Sequence, residues 1–178
     1  MDSVLQEASL YTVKGVAILD NDGERILAKY FDDTFASIKE QREFEKNLYN
    51  KTSRQNAEII MLDGFTIVYR SNVDLYFYVM GSSHENELIL ASVLNAFFDA
   101  VNQMLKKNVE KRFLLDHLDA IYLAIDELVD EGVILEADSN NIVQRVAMKM
   151  EVEVPLSEQT VAQVIQTAKD QLKWSLLK

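Results

Sequence analysis

Two histidines, His84 and His117, are the only side chains whose ordinary pKa suits proton transfer near neutral pH. His84 follows Ser82 and Ser83, an order that on paper pairs a nucleophile with a base. The G-x-S-x-G elbow that presents such a serine is missing, and His117 falls on a different predicted element. His84 therefore reads as a polar residue at a helix start, and His117 as a surface helical residue. Asp20-Asn21-Asp22-Gly23 invites a calcium-loop reading. Aligning Gly23 with the loop's required glycine puts Ile18 at the first ligand position and Lys29 where the bidentate glutamate belongs, so the stretch reads as a hairpin turn.

Other familiar chemistry lacks its parts. There is no Walker loop, G-x-G-x-x-G, H-E-x-x-H or paired metal-ligand spacing, so no catalytic residue, metal site or cofactor is expected. The absence of cysteine excludes disulfides and thiolate zinc sites and suits a cytosolic compartment. With 29 acidic residues some carboxylates are bound to lie close together, so their proximity signals nothing by itself. The net charge of −11 opposes binding to nucleic acid or to an anionic membrane, both of which draw affinity from Lys and Arg. The N-terminus, MDSVLQEAS, has acid where a signal peptide carries base, and no stretch reaches the ~20 apolar residues of a membrane span. Asn50-Lys51-Thr52 fits the glycosylation pattern, but without a route into the secretory lumen it reads as coincidence.

The elements that would position any site form a mixed α/β pattern. Val13 to Leu19, a turn at 20–24 and Arg25 to Phe31 predict one hairpin; Gly15 and Ala17 leave shallow relief on one face where a helix could pack. Ser37-Ile38-Lys39-Glu40 has capping-box form and opens an outer helix to about Lys51 through Phe44 and Leu48. Ala57 to Leu62 and Phe65 to Ser71 flank Asp63-Gly64, a favoured two-residue turn. The strand Leu75 to Gly81 has no polar alternation, so both of its faces must be covered and it belongs in the middle of the sheet. Asn86 to Lys106 is a central helix, apolar round most of its circumference, that Ser82 or Ser83 can cap. A third helix is predicted from Lys111 to Val129 with Gly132 as its stop, then an extended link at Val133 to Glu136 and a short helix from Asn140 to Met150. The expected fold is a three-layer α-β-α sandwich, a five-stranded antiparallel meander between one helix and a set of C-terminal helices.

Three features remain for binding. Lys106, Lys107, Lys111 and Arg112 make the one basic cluster, either a solvated helix junction or contact with an acidic partner surface. Tyr76 and Tyr78 read as core aromatics whose phenol groups reach an edge or a partner. After Pro155, the single proline, an amphipathic stripe runs through Val161, Val164, Ile165, Ala168 and Leu172 to Trp174, Leu176 and Leu177. Three outcomes are open for it: folding back on the domain, capture by another protein, or disorder. The domain reading is an N-terminal extension over 1–12, the main domain over 13–152 and a tail over 153–178.

Several long strings, LYTVKGVAILDNDGERILAKYFDD, KEQREFEKNLYNKT, DLYFYVMGSSHENELIL, LVDEGVILE and QLKWSLLK, together resemble the coatomer zeta chains of Golgi vesicle coats across essentially the whole sequence. More distantly, residues 13 to about 150 resemble the sigma chains of clathrin adaptors in Leu27-Ala28-Lys29-Tyr30, Leu75-Tyr76-Phe77 and Asp126-Glu127; the tail looks like the coatomer version's own addition. The resemblance implies a longin-like fold and a non-enzymatic, cytoplasmic role. The expected direct partner is the large gamma coatomer subunit. Other coatomer subunits, an Arf-family GTPase and the Golgi membrane would be engaged indirectly, in Golgi-to-ER retrograde and intra-Golgi transport. One departure matters: sigma chains that bind acidic dileucine signals carry a basic residue just before Leu-Ala-Lys, where this chain has Ile26, with Arg25 one residue earlier on the opposite strand face. Dileucine binding is therefore not expected. The alternatives are a sigma-type clathrin adaptor subunit or a stand-alone longin-domain trafficking or tethering protein. A longin-type SNARE would need a heptad region and usually an anchor, for which 157–178 is too short. An enzyme would need a convergent polar pocket.

Overall fold

The structure, a computed structural model, describes residues 10–54 and 58–152. β1 (Val13–Asp20) and β2 (Arg25–Tyr30) form a hairpin, α1 (Ile38–Thr52) follows, and β3 (Ile59–Leu62) and β4 (Phe65–Asn72) form a second hairpin. β5 (Leu75–Ser82) then enters between the two, giving an antiparallel sheet of order β2-β1-β5-β4-β3. This is not a plain meander, because α1 carries the chain from one sheet edge to the other before β5 returns to the middle. The unbroken apolar run of β5 now has its cause. Leu75, Phe77 and Val79 enter one core cluster, while Tyr78 and Met80 enter the cluster on the opposite face.

α1 covers the second of those faces with Phe44 and Leu48. Ser37 Oγ accepts from the Glu40 amide at 3.3 Å, and Glu40 Oε2 accepts from the amide of Ala36, one residue earlier than in the standard box. The other face is covered by α2 (Glu87–Met104) and α4 (Leu118–Leu128). α2 is capped by Asn86, whose side chain accepts from the Leu88 amide at 2.9 Å, not by Ser82 or Ser83. The reason is local: Ser82 ends β5 and its carbonyl closes a turn to Glu85, so the helix starts only beyond that turn.

The relief at Gly15 is filled from the sheet side and not by a helix. A Cβ there would meet the Tyr30 ring at 2.9 Å and the Met80 methyl at 3.2 Å. The expected third helix is two helices, α3 (Lys111–Leu115) and α4, separated at Asp116 and His117, where His117 leaves helical geometry at φ −130° and ψ 26°. Gly132 is likewise not a helix stop. The helix ends at Leu128, and β6 (Val129–Asp130) and β7 (Val133–Ile134) form a small ribbon across a tight turn with Glu131 at φ 46° and Gly132 at φ 88°. A Cβ at Gly132 would stand 2.7 Å from the Val13 carbonyl, and the Gly132 carbonyl accepts from the Val13 amide, so this turn needs glycine twice over.

α5 (Ser139–Val152) begins at Asp138, whose carboxylate accepts from the amides of Asn140 and Asn141 and whose carbonyl accepts from that of Ile142. It buries Ile142 and Val146 in the α2-side core. The chain divides into two units, 1–146 and 147–178; the sheet and its layers belong to the first, and of the second the described residues are 147–152, the end of α5.

Candidate functional site

The residues with chemical potential are dispersed or already occupied. His84 is exposed in the β5–α2 turn with no hydrogen bond to Ser82 or Ser83 among the described residues. His117 stands at the start of α4, where its Nδ1 donates to the Phe113 carbonyl at 2.8 Å. No group of three or more metal-ligating side chains gathers among the described residues. In the β1–β2 turn, Asp20 Oδ1 accepts from the amides of Asp22 and Glu24 at 2.9 and 2.8 Å, and Oδ2 accepts from Lys111 Nζ at 2.7 Å. Burial alone would raise the Asp20 carboxyl; the bonds from Lys111 and the two amides outweigh it and hold it below the usual carboxylate range. These oxygens close the turn and bolt down a lysine, which is what a hairpin needs and a calcium loop cannot spare.

The four basic residues occupy one corner between α2 and α3 in unequal ways. Lys107 N–H bonds to the Asn102 carbonyl and Lys106 N–H to that of Gln103, the double bond of a Schellman end, with the two lysines at φ 70° and 52° where glycine is usual. Lys106, Lys107 and Arg112 are exposed. Lys111 instead ties the corner to the sheet: its side chain holds Asp20 and its amide donates to Asp74 Oδ1, while Asn72 Nδ2 donates to the Val109 carbonyl nearby.

Arg25 and Ile26 point to opposite faces, as the pleat demands. Ile26 packs against the α2-side core. The Arg25 guanidinium lies against α1, 2.8 and 2.7 Å from the two Glu45 oxygens and 3.1 Å from Gln41 Oε1, with its side chain only 17% exposed. Tyr30 donates to Glu45 at 2.8 Å, and burial, then the Glu45 charge, pushes its phenol up. Arg25 is thus committed inside the protein. Tyr78 is fully buried and shares a hydrogen bond of 2.7 Å with Thr52, and Tyr76 stacks beside it, so both phenols serve the α1-side core. Trp174, Leu176 and Leu177 lie outside the described residues.

One surface is not legible as a site in the sequence. The edge strand β3 alternates about buried Ile60, leaving Ile59 and Met61 45% and 60% exposed toward the α2 layer. On α2, Leu88 is 77% exposed. A recess of about 610 Å³ opens beside the start of β3, lined on the α2 side by Ala91, Leu94 and Asn95 and on the α1 side by Thr52, Ser53 and Tyr69. Among the described residues no catalytic constellation accompanies it.

The family model of the clathrin adaptor complex small chain matches residues 12–153. Human coatomer subunit zeta-1 is 60% identical over 178 residues, covering all of both chains. The chain belongs to the adaptor small-chain family, in its coatomer zeta group. Other zeta chains are close as well: human coatomer subunit zeta-2 is 59% identical over 98% of this chain and 82% of its own length, and a zeta-2 from Arabidopsis thaliana 48% identical over 93% and 95%. In structure, a chain of a homology model of the full-length AP-3 complex in a stretched open conformation superposes with a TM-score of 0.64 at 17% identity, covering 79% of this chain and 94% of that one. This likeness speaks to the fold, a longin-like sheet between helices.

Proposed function

We propose that this zeta-group chain is a non-enzymatic structural subunit of the coatomer vesicle coat that pairs directly with the large gamma subunit and through it with the other coat subunits. The supporting observation is 60% identity over the full length of both chains to coatomer subunit zeta-1. In this reading the assembled coat is recruited by a GTP-loaded Arf-family GTPase and serves Golgi-to-ER retrograde and intra-Golgi transport. The chain itself stays cytoplasmic and reaches the Golgi membrane only within the complex, which suits its net charge of −11. The exposed Lys106, Lys107 and Arg112 offer a contact for an acidic surface in that assembly.

The reading also says what the chain does not bind. With Ile26 packed against the core and Arg25 held by Glu45, an acidic dileucine peptide finds no cation at the sigma-type position. Fluorescence titration with such a peptide should show no saturable signal. The test of the pairing itself is co-expression with the gamma-type large subunit: a stable complex on size exclusion is expected, and separate elution of the two chains would refute it.

A further inference from the structure

We infer that the apolar shelf formed by β3 and the outer stripe of α2 seats an amphipathic helix of the large partner subunit, which lays its apolar side on Ile59 and Met61 and offers a carboxylate to Arg70. The inference rests on the coat-subunit reading for the identity of the partner; its geometry comes from the sheet.

Neighbouring strands lie about 4.8 Å apart and packed helices about 8–10 Å apart, so one helix covers roughly two strands. α2 packs over β4 and β5, and α4 lies beside α2, tied to β2 by Lys29 and Asp126. Two helices therefore cover four strands, and among the described residues no helix lies over β3, the fifth, on that face. The residues it shows there are Ile59 and Met61, with Leu88 of α2 standing on the same helical stripe as Ala91 and Asn95 along the shelf's other side. The uncovered width is that of one more helix, and the recess at the start of β3 can take its side chains.

Charge specifies the occupant further. Arg70, on the α2 side of β4, is exposed and lies over the Phe98 ring at 4.0 Å from its centroid, with no carboxylate partner among the described residues. Its planar fork is preset for a carboxylate arriving from outside. With a net charge of −11 the chain is poor bait for an anionic bilayer, which favours a protein partner.

The test is co-purification of the full chain with the co-expressed gamma-type subunit, using variants whose folding is checked by thermal melting. Ile59→Asp with Met61→Asp should lower recovery of the complex at least about tenfold, and Arg70→Glu several-fold, with Arg70→Lys between it and the parent. Asn95→Arg, which fills the groove and leaves the outer edge of β3 free, should also lower it. If the parent chain pairs and these variants pair equally well, the shelf is not the seat. If only the β3 variants fail while Asn95→Arg pairs normally, an added strand and not a helix occupies the edge, and the inference falls. If the parent chain does not pair at all, the coat reading fails and takes this inference with it.

Discussion

The two faces of the sheet are held by different physics. On the α2 side, Phe77, Phe97, Leu90, Ile121 and their neighbours interlock as an apolar interior whose buried charges, Asp20 and Glu127, are paired with Lys111 and Arg145, and the Phe77–Phe97 and Phe77–Phe98 contacts are edge-to-face at 5.9 and 5.2 Å. On the α1 side the core includes the tyrosines Tyr30, Tyr69, Tyr76 and Tyr78 and holds Glu45, buried and paired with the partly buried Arg25. Every buried polar side-chain atom on the described surface of that core has a partner. The apolar interior of the first face is altered by changing volume; the interior of the second can also be broken by removing one polar atom, because a charge or hydroxyl left alone in a core costs more than its bond was worth.

Phe97→Ala should be the most damaging change, about 4 kcal/mol by chemical denaturation, since Phe97 is fully buried and the layers on either side cannot close the gap. A loss below about 1 kcal/mol would mean that α2 repacks freely. Glu45→Ala should cost about 3 kcal/mol although it removes far fewer atoms, because it strands Arg25 and the Tyr30 hydroxyl. Combining Arg25→Met with Glu45→Gln removes the charges together and keeps an acceptor for Tyr30. This double variant should be more stable than Glu45→Ala; if it is not, the pair contributes by packing and the contrast between the faces collapses. Tyr78→Phe should cost about 1 kcal/mol, the share of one buried hydrogen bond to Thr52. Lys106→Gly lies outside both cores and should stabilise by about 0.5–1 kcal/mol by relieving the left-handed backbone, visible as a rise of a few degrees in Tm.

How much of this was legible in the sequence follows the same division. The greasy run Leu75 to Met80 announced a central strand because no other position lets both faces escape water, and Asp63-Gly64 announced its turn because few residue pairs accept positive φ. The α3–α4 break could not be read. Leu114, Leu118, Ile121, Ile125 and Leu128 keep helical spacing straight through it, and the interruption is set by the backbone at Asp116 and His117, not by a proline or glycine. Ser82 and Ser83 were the caps the sequence suggested for α2, and Asn86 serves instead because the helix starts only beyond the turn that closes β5. The exposed shelf was hidden for a different reason. Ile59 and Met61 look in sequence like any half-core strand, and their exposure follows only from how many strands two helices can cover.

The most direct test of the central claim is a pull-down from cytosol with tagged chain, read by mass spectrometry, for the full chain and for a version ending at Met150. The account predicts that both recover a gamma-type coat subunit, since the shelf and the basic corner lie within residues 10–152. Retention by the full chain alone would move the interface into the tail, and failure of both to bring down coat subunits would contradict the coat reading.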